Sequence, residues 1–293
     1  DTILNEVKAR TTIIVEWDTP RNHDISKFMS GAKDLVDAGV NAITMADNSL
    51  AQMRISNFAL GIKLKQELGV RPIVHIACRD RNLIGTQSHL MGLHTLGIDH
   101  ALVITGDPAK VGDMPGSNSV YDLTSFELIR MMKRMNEGYA HNGRPLKIPS
   151  QFTIGAALDP NVKYLEKTIE RMEKKIEAGA QFFMTQPIYD IELVDKLYEY
   201  TRHLSVPIFV GVMPLISDRN AQFLHYEVPG IRIPEYIRDQ FKGLEGEKGR
   251  EKGVEITKEI VSRIQQKFNG IYIMTPMTFS QMSVDLIKHI RNE

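Results

Sequence analysis

The chain has 293 residues, of which 42% are hydrophobic and 25% charged, a composition typical of a folded protein with a large core. Lys plus Arg equals Asp plus Glu at 36 each, so there is no global field to attract nucleic acid or an anionic membrane. The single cysteine, Cys78, excludes an intrachain disulfide framework and any multi-cysteine metal site, and it predicts a reducing, cytoplasmic location.

The chain also lacks the usual signals for membrane insertion or secretion. No apolar run approaches the roughly 20 residues of a membrane span, and residues 1–10 do not have the charged and apolar regions of a signal peptide. We therefore expect a soluble protein with neither a membrane nor a nucleic-acid partner. Because residue 1 is Asp rather than Met, we expect a processed, trimmed or excised chain, which leaves room for an upstream partner domain.

Short apolar runs recur along the chain, and ten or more residues with helical periodicity follow most of them. The eight predicted strands cover residues 12–17, 42–46, 73–78, 101–107, 152–158, 182–187, 208–214 and 271–276. Helical patterns cover 24–39, 162–179 and the C-terminal residues 279–293. Apolar strands that alternate with crossover helices are typical of a parallel sheet covered on both faces. We predict one α/β domain over 1–293, a single catalytic (β/α)8 TIM barrel, with an open doubly wound sheet as the alternative.

The longest interval separates the seventh and eighth predicted strands. We expect extra helices there, then a solvated turn at "LEGEKGREKG" (244–253), and then a helix over 254–268. The interval is therefore predicted to be an elaboration of the barrel and not a domain boundary.

Polar residues close most of the predicted strands, at the end where barrels of this kind hold their active sites. They are Glu16, Thr44, Asp47, His75, Thr105, Asp107, Asp159, Thr185, Gln186 and Thr275. Glu16, between Val15 and Trp17, fits two interpretations. It is either a carboxylate paired with a neighbouring cation, or a general acid whose pKa an apolar site raises.

The other polar residues also have a structural and a functional interpretation. Asp107 is either a turn residue or a fixed negative charge at the barrel mouth. His75 is either a core histidine or one that binds a ligand. Gln186 either makes a structural hydrogen bond or recognises a ligand through its amide. Lys175 lies either on a solvated helix face or against a cofactor. No metal-ligand spacing and no glycine-rich nucleotide motif occurs, so we predict no metal site and no Rossmann or P-loop site.

Six motifs, in order and spacing, resemble the methylenetetrahydrofolate reductase family. They are "VEWDTPRN", "VHIAC", "ITGDP", "KKIEAGAQFFMTQPIYD", "VGVMPLIS" and "VPGIRIP". The resemblance runs from about residue 11 to the C-terminus. It is most similar to the reductase module of bacterial proteins that fuse a homocysteine methyltransferase ahead of it.

The resemblance implies a flavoprotein oxidoreductase of one-carbon metabolism and methionine biosynthesis. It would reduce 5,10-methylenetetrahydrofolate to 5-methyltetrahydrofolate by ping-pong hydride transfer through FAD, with NADH or NADPH as electron donor. Glu16 would then be the general acid, Asp107 would tune flavin and pterin, and Gln186 would contact pterin or nicotinamide. The implied FAD-binding residues are Thr44, His75, Thr105, Gly106, Asp107, Tyr121, Ala157 and Lys175. The implied partners are a folate substrate, a fused or associated homocysteine methyltransferase and further copies of the chain.

Two departures from the family pattern keep other functions open. Many relatives have Arg before the Gly-Asp pair, where this chain has Thr105, and "TPMTFSQM" (275–282) has no Arg where relatives grip the folate glutamate. The alternatives are an electron-relay or non-catalytic barrel subunit of a larger complex, and a different FAD barrel dehydrogenase of the imino-acid type.

Overall fold

The computed structural model describes residues 1–292 and forms a closed barrel of eight parallel strands in sequence order. Each strand pairs with its sequence neighbours, and β8 closes the barrel against β1. The strands are β1 (Thr12–Glu16), β2 (Ala42–Met45), β3 (Arg71–Ala77), β4 (His100–Ile104), β5 (Thr153–Leu158), β6 (Phe182–Pro187), β7 (Ile208–Val212) and β8 (Gly270–Met274). The predicted (β/α)8 barrel is therefore confirmed, and the strand ends agree with the prediction to within three residues. Thr105 and Asp107, predicted within the fourth strand, lie beyond its end.

Helices surround the barrel and include the elements predicted from the sequence. They are α1 (Ile3–Ala9), α2 (Ser26–Asp37), α3 (Asn57–Leu68), α4 (Leu83–Thr95), α5 (Ser125–Asn136), α6 (Leu165–Ala178), α7 (Ile191–Thr201), α8 (Asp218–Glu227), α9 (Glu235–Gln240), α10 (Gly246–Gln265) and α11 (Ser280–Arg291). The predicted extra helices between the last two strands are α8 and α9. Residue 293, the end of the last predicted helix, lies outside the described residues. None of the helices within 1–292 combines the length and apolar character needed to span a membrane.

Helix α1, which the sequence did not predict, covers the N-terminal end of the barrel. Ile3 and Val7 pack into the apolar cluster inside the strands, and the Ile3 amide donates to Nε2 of buried His100 at 3.2 Å. Glu6 of the same helix pairs with Arg71, the first residue of β3. Because this end is plugged, any site inside the barrel opens at the C-terminal ends of the strands.

Apolar side chains fill the lower part of the barrel interior. Inward positions alternate along each strand, as in Ile14, Ala42 and Ile73. Gly155 is required within this layer, because a Cβ there would lie 2.4 Å from the ring of Phe182. Two residues further along β1, β2 and β3, the inward positions are polar: they are Glu16, Thr44 and His75. The change from apolar to polar marks the floor of the candidate site.

The prediction of a solvated turn at residues 244–253 was wrong, because α10 already begins at Gly246. Its charged residues suggested solvent exposure, but Gly249 and Gly253 lie one helical turn apart and are buried. A Cβ at Gly249 would lie 2.2 Å from the carbonyl oxygen of Ile216, and one at Gly253 would lie 1.7 Å from that of Leu215. The two glycines let the helix backbone touch the segment that follows β7.

We expect Gly253→Ala to lower the free energy of unfolding by about 2 kcal/mol or more, because overpacking against a fixed backbone costs more than the helix propensity that Ala gains. Urea denaturation measures the change. The control is Glu251→Ala, on the exposed face of the same helix, which should fall within about 0.5 kcal/mol of wild type. A Gly253→Ala protein as stable as wild type would contradict the close approach.

Candidate active site

Glu16 ends β1 with its side chain directed into the barrel mouth. The hydroxyl of Tyr272, from the neighbouring strand β8, donates to Glu16 Oε1 at 2.8 Å. The Glu16 side chain is 20% exposed, so it is largely removed from water but still open to a small molecule. Within residues 1–292 no Lys or Arg side chain lies within ion-pairing distance of it, and Nε2 of His75 lies 3.9 Å from its Oε1. The first interpretation of Glu16, a carboxylate paired with a neighbouring Lys or Arg, does not describe this arrangement.

Burial raises the pKa of Glu16 from 4.5 to about 8, and the negative charge of Asp18 adds to the rise. The hydrogen bond from Tyr272 and the charge of Arg54 act in the opposite direction but do not cancel it. Burial also raises the pKa of Asp18, whose Oδ1 accepts from the Ala46 amide at 3.1 Å. Burial thus favours the protonated form of Glu16 at the mouth of the barrel.

His75 lies on β3, close to Glu16, and is buried. Burial lowers its pKa to about 4, so the ring is neutral and the 3.9 Å approach to Glu16 is not an ion pair. Its Nε2 atom is buried and has no hydrogen-bond partner within residues 1–292. Thr44 is fully buried, and its hydroxyl donates to the Ile73 carbonyl at 2.9 Å. The floor of the site thus holds one carboxylic acid and one imidazole nitrogen with unused hydrogen-bonding capacity.

Arg79, just beyond β3, joins the ends of three strands. Its guanidinium donates to the carbonyls of Asp47 and Asn48 after β2 and to that of Asp107 after β4, at 3.0–3.1 Å. The carboxylate of Asp80 balances its charge at 2.7 Å. Only 2% of the Arg79 side chain is exposed. Because these donors bind main-chain carbonyls of neighbouring loops, Arg79 holds the loops at the rim of the site in place.

The turn after β4 presents Asp107 to solvent. Gly106 adopts φ +83°, and a Cβ there would lie 3.2 Å from Nη1 of Arg79, so only glycine fits this position without strain. The hydroxyl of Tyr121 donates to the Gly106 carbonyl at 2.8 Å. Thr105 and Asp107 are both exposed. Because Arg79 binds the backbone of Asp107, the carboxylate of this residue stays available.

Lys175 reaches from α6 to the end of β5, where its Nζ donates to the Ala157 carbonyl at 3.1 Å. It also lies 5.7 Å from the centre of the Phe126 ring. Burial lowers its pKa to about 8, and the charge of Arg171 contributes. The interpretation of Lys175 as a solvated helix face is therefore wrong, since the amine is held against the barrel rim.

Gln186 is the exposed position of β6, where the pairing with β7 shifts register between Met184 and Pro187. The irregularity is held by Thr185, whose hydroxyl donates to the Gln186 carbonyl and accepts from the Gly211 amide, both at 2.7 Å. These bonds use the main-chain carbonyl of Gln186 and leave its side-chain amide free of them. The side chain faces the loop containing Gly230, since a Cβ added at Gly230 would lie 3.7 Å from Gln186 Cγ.

The structure places the sequence-predicted residues in two sets. Glu16, Thr44 and His75 form the floor. The other predicted residues lie around them on different elements: Asp47 follows β2, Thr105, Gly106, Asp107 and Tyr121 follow β4, Ala157 lies near the end of β5 with Asp159 beyond it, Lys175 is on α6, Thr185 and Gln186 are on β6, and Thr275 follows β8. Sequence reasoning missed Asp18, Arg79 and Tyr272. The sequence does indicate Asp18, because it lies two positions after Glu16 and therefore on the same face of an extended chain. Tyr272 and Arg79 had none, because their roles depend on which strands are neighbours. Within residues 1–292 no cluster of three metal-ligating side chains occurs.

Together these features define a single-barrel protein whose open end carries a carboxyl group with a raised pKa, an imidazole nitrogen without a partner in the described residues and a rim of polar side chains. A family model described as methylenetetrahydrofolate reductase matches residues 2–291. The chain therefore belongs to the methylenetetrahydrofolate reductase family, and the resemblance noted in its motifs is confirmed at that level.

Individual relatives are distant. Methylenetetrahydrofolate reductase 1 of Schizosaccharomyces pombe is 25% identical over 211 residues, which cover 69% of this chain and 32% of that protein. The 5,10-methylenetetrahydrofolate reductase of Escherichia coli is 21% identical over 251 residues, covering 83% of this chain and 77% of that protein. The chain thus spans about a third of the length of the fission-yeast relative.

Among solved structures, an uncharacterized Clostridium thermocellum protein that binds two copies of 5-methyl-5,6,7,8-tetrahydrofolic acid superposes with a TM-score of 0.67. The two chains are 15% identical, and the match covers 99% of each. At this identity the likeness establishes the shared barrel fold.

Proposed function

We propose that this chain reduces 5,10-methylenetetrahydrofolate to 5-methyltetrahydrofolate with FAD as cofactor and NADH or NADPH as electron donor, in two half-reactions at one site. Family membership over residues 2–291 supports the reaction class. The observation that carries the proposal is the position of Glu16, a largely buried carboxyl group that the Tyr272 hydroxyl holds at the mouth of the barrel and whose pKa burial raises. A group that is neutral at physiological pH and lies on the floor of an open site suits proton delivery to a bound substrate.

The residues present fit a flavin nucleotide. The orphaned Nε2 of buried His75 offers a hydrogen-bonding group that nothing else in the described chain satisfies. The amine of Lys175 supplies a cation for a pyrophosphate. Bound FAD would be held by Thr44, His75, Thr105, Gly106, Asp107, Tyr121, Ala157 and Lys175. When bound, the flavin accepts a hydride from the nicotinamide and supplies one to the folate.

The remaining site residues would act on the folate. Glu16 gives its proton to the ring nitrogen of the imidazolidine as the ring opens to an iminium cation, and the Tyr272 hydroxyl holds the carboxyl group in place. The exposed carboxylate of Asp107 stabilises the positive charge that develops on the substrate. Gln186 presents an amide to the pterin or nicotinamide edge, which needs both a donor and an acceptor. We propose that the whole chain serves as one catalytic domain, while fusion to a homocysteine methyltransferase and a cytoplasmic location stay predictions.

We expect Asp18→Asn to shift the pH dependence of the folate half-reaction. The acid form of Glu16 is the active one, so the rate falls as pH rises through about 8. Because the charge of Asp18 raises the pKa of Glu16, its removal should move this decline to lower pH. Single-turnover rates of reduced enzyme with methylenetetrahydrofolate, measured against pH, test this. Reduction by the nicotinamide serves as the internal control, and a decline that does not move would contradict the coupling.

The proposed reaction is tested by the visible absorption of purified protein with FAD under anaerobic conditions. We expect the flavin spectrum to bleach on addition of NADH or NADPH and to return on addition of methylenetetrahydrofolate. A flavin that only a chemical reductant bleaches, but that the folate reoxidises, would instead favour the electron-relay alternative. A flavin that is bleached by an amino acid and does not react with the folate would favour the alternative of an FAD barrel dehydrogenase of the imino-acid type. Failure to bind FAD would refute the proposal.

A further inference from the structure

Asp159 lies at the mouth of the barrel and takes no part in the two proposed half-reactions. It follows β5 directly, two positions after Ala157 and four after Gly155, so it continues the inward-facing positions of this strand. Its Oδ1 atom accepts from the Asn161 amide at 2.9 Å. The charge of Arg232 also acts on it, but burial has the larger effect and raises its pKa. Asp159 is therefore a partly buried carboxyl group at an open site, with acceptor capacity left for a ligand.

Asp159 and Gln186 face one recess at Gly230. A Cβ added at Gly230 would lie 3.1 Å from Oδ2 of Asp159 and 3.7 Å from Cγ of Gln186. Gly230 adopts φ +82° and has no side chain, so the loop that contains it passes both residues without filling the space between them. Gln186 itself is exposed. A carboxyl group from the end of β5 and an amide from β6 thus lie side by side at the mouth.

The buried side chain of Asn161 fixes this recess. Its Nδ2 atom donates to the carbonyl of Pro187, at the end of β6, and to the carbonyl of Gly230, both at 2.9 Å. Its own carbonyl accepts from Nε of Arg232 at 3.1 Å. The ends of β5 and β6 and the loop after α8 are therefore tied to one another, and the recess is held in shape before any ligand arrives.

The recess lies on the opposite side of the mouth from Glu16. In the closed barrel of eight strands β5 is four strands from β1 in either direction. A ligand that contacts both sides must therefore extend across the mouth. The pterin of a folate has this form, because the nitrogens of the five-membered ring lie at one end of a flat bicycle. The other end is an edge with the 4-oxo group, N3–H and the 2-amino group in a row.

We propose that the carboxylate of Asp159 accepts hydrogen bonds from N3–H and the 2-amino group of the pterin, while the Gln186 amide donates to the 4-oxo group. This inference rests on the proposed function and makes Asp159 a residue that determines substrate specificity. Two adjacent donors match the two oxygens of a carboxylate, and the neighbouring acceptor matches an amide on the next strand. A nicotinamide carboxamide has a single carbonyl and a single amino group, so it matches this row less well. With its edge held here, the pterin directs its five-membered ring towards Glu16.

Binding of the reaction product tests the assignment. The protein is loaded with FAD and reduced with dithionite, so that 5-methyltetrahydrofolate cannot pass a hydride back to the flavin, and dissociation constants are measured by anaerobic equilibrium dialysis. The second ligand is the same molecule with methyl in place of the 2-amino group. We expect wild type to bind this analogue about 10-fold or more weakly, since a hydrogen bond to a charged group is lost. Asp159→Asn keeps an acceptor for the Asn161 amide but carries no charge. It should bind the product about 10-fold or more weakly than wild type and prefer it over the analogue by less than about threefold.

The control is Asp37→Asn, at the surface of α2 where Asp37 pairs with Lys33, and it should bind both ligands as wild type does. A second variant, Gly230→Ala, fills the recess without changing its charge and should also weaken product binding. The flavin spectrum shows that each variant is folded. Wild-type protein that binds neither ligand would refute the proposed function and this inference with it. Equal binding of both ligands by wild type, or wild-type affinity and preference in Asp159→Asn, would overturn the role of Asp159 alone.

Discussion

Replacement of Glu16 by Gln is expected to slow the reduction of methylenetetrahydrofolate by about 10²–10⁴-fold while FAD binding and flavin reduction by the nicotinamide persist. Gln is nearly isosteric with Glu and keeps an acceptor for the Tyr272 hydroxyl, so the site should retain its shape. It has no proton to give, and the ring opening of the folate is therefore the step that suffers. Stopped-flow absorption at the flavin band separates the two half-reactions.

The matched control is Glu67→Gln, at an exposed residue of α3 that pairs with Lys63 on the surface. It should behave as wild type in both half-reactions. A Glu16→Gln protein with full folate turnover would show that Glu16 is not the acid. Equal losses in both half-reactions would show that the substitution disturbs the cofactor and not proton transfer.

Replacement of Arg79 by Met is expected to lower the free energy of unfolding by about 3 kcal/mol or more, because each buried acceptor left without its donor costs about 1–3 kcal/mol. It would leave Asp80 without its counter-charge and three carbonyls without their donor. The loop after β2 should also loosen, because Asn48, Leu50 and Ala51 all adopt positive φ angles of 50–56°. Such conformations are unfavourable for residues other than glycine and persist only when neighbours hold them.

Urea denaturation measures the loss, and hydrogen exchange of the loop amides measures the loosening. The control is Arg202→Met, whose guanidinium pairs with Glu199 on the surface, and which should fall within about 0.5 kcal/mol of wild type. The double change Arg79→Met and Asp80→Asn should regain part of the stability, since it removes the unpaired charge. An Arg79→Met protein with wild-type stability and unchanged loop exchange would contradict the bridging role.

The barrel could be predicted from the sequence because its signals are local. Each strand is a short apolar run, and each helix repeats its apolar residues every three or four positions, as α2 does at Phe28, Ala32 and Leu35. Parallel strands joined by helices can form only a few kinds of sheet, so eight strand–helix units indicated a sheet closed into a barrel. The placement of Glu16 at the mouth followed from the same count, because it ends its strand.

The parts that sequence reasoning missed depend on contacts between distant segments. Tyr272 acts on the pKa of Glu16 only because β1 lies beside β8, and Arg79 binds backbone atoms that no side-chain pattern reveals. The charge of residues 244–253 led to the wrong prediction of a solvated turn. The helix α10 begins within this run, and its Gly249 and Gly253 pack against the segment after β7. Close backbone approach leaves no trace in hydropathy, and only the position of the glycines suggests it.

The titration of Glu16 tests the central claim most directly. Infrared difference spectra of the carboxyl stretch, recorded against pH for wild type and for Glu16→Gln, isolate this one group. We expect the protonated band to be present at neutral pH, to disappear with a midpoint near 8, and to be absent from the variant. A carboxyl group that ionises near its ordinary value of 4.5 would contradict the claim that Glu16 brings a proton to the folate.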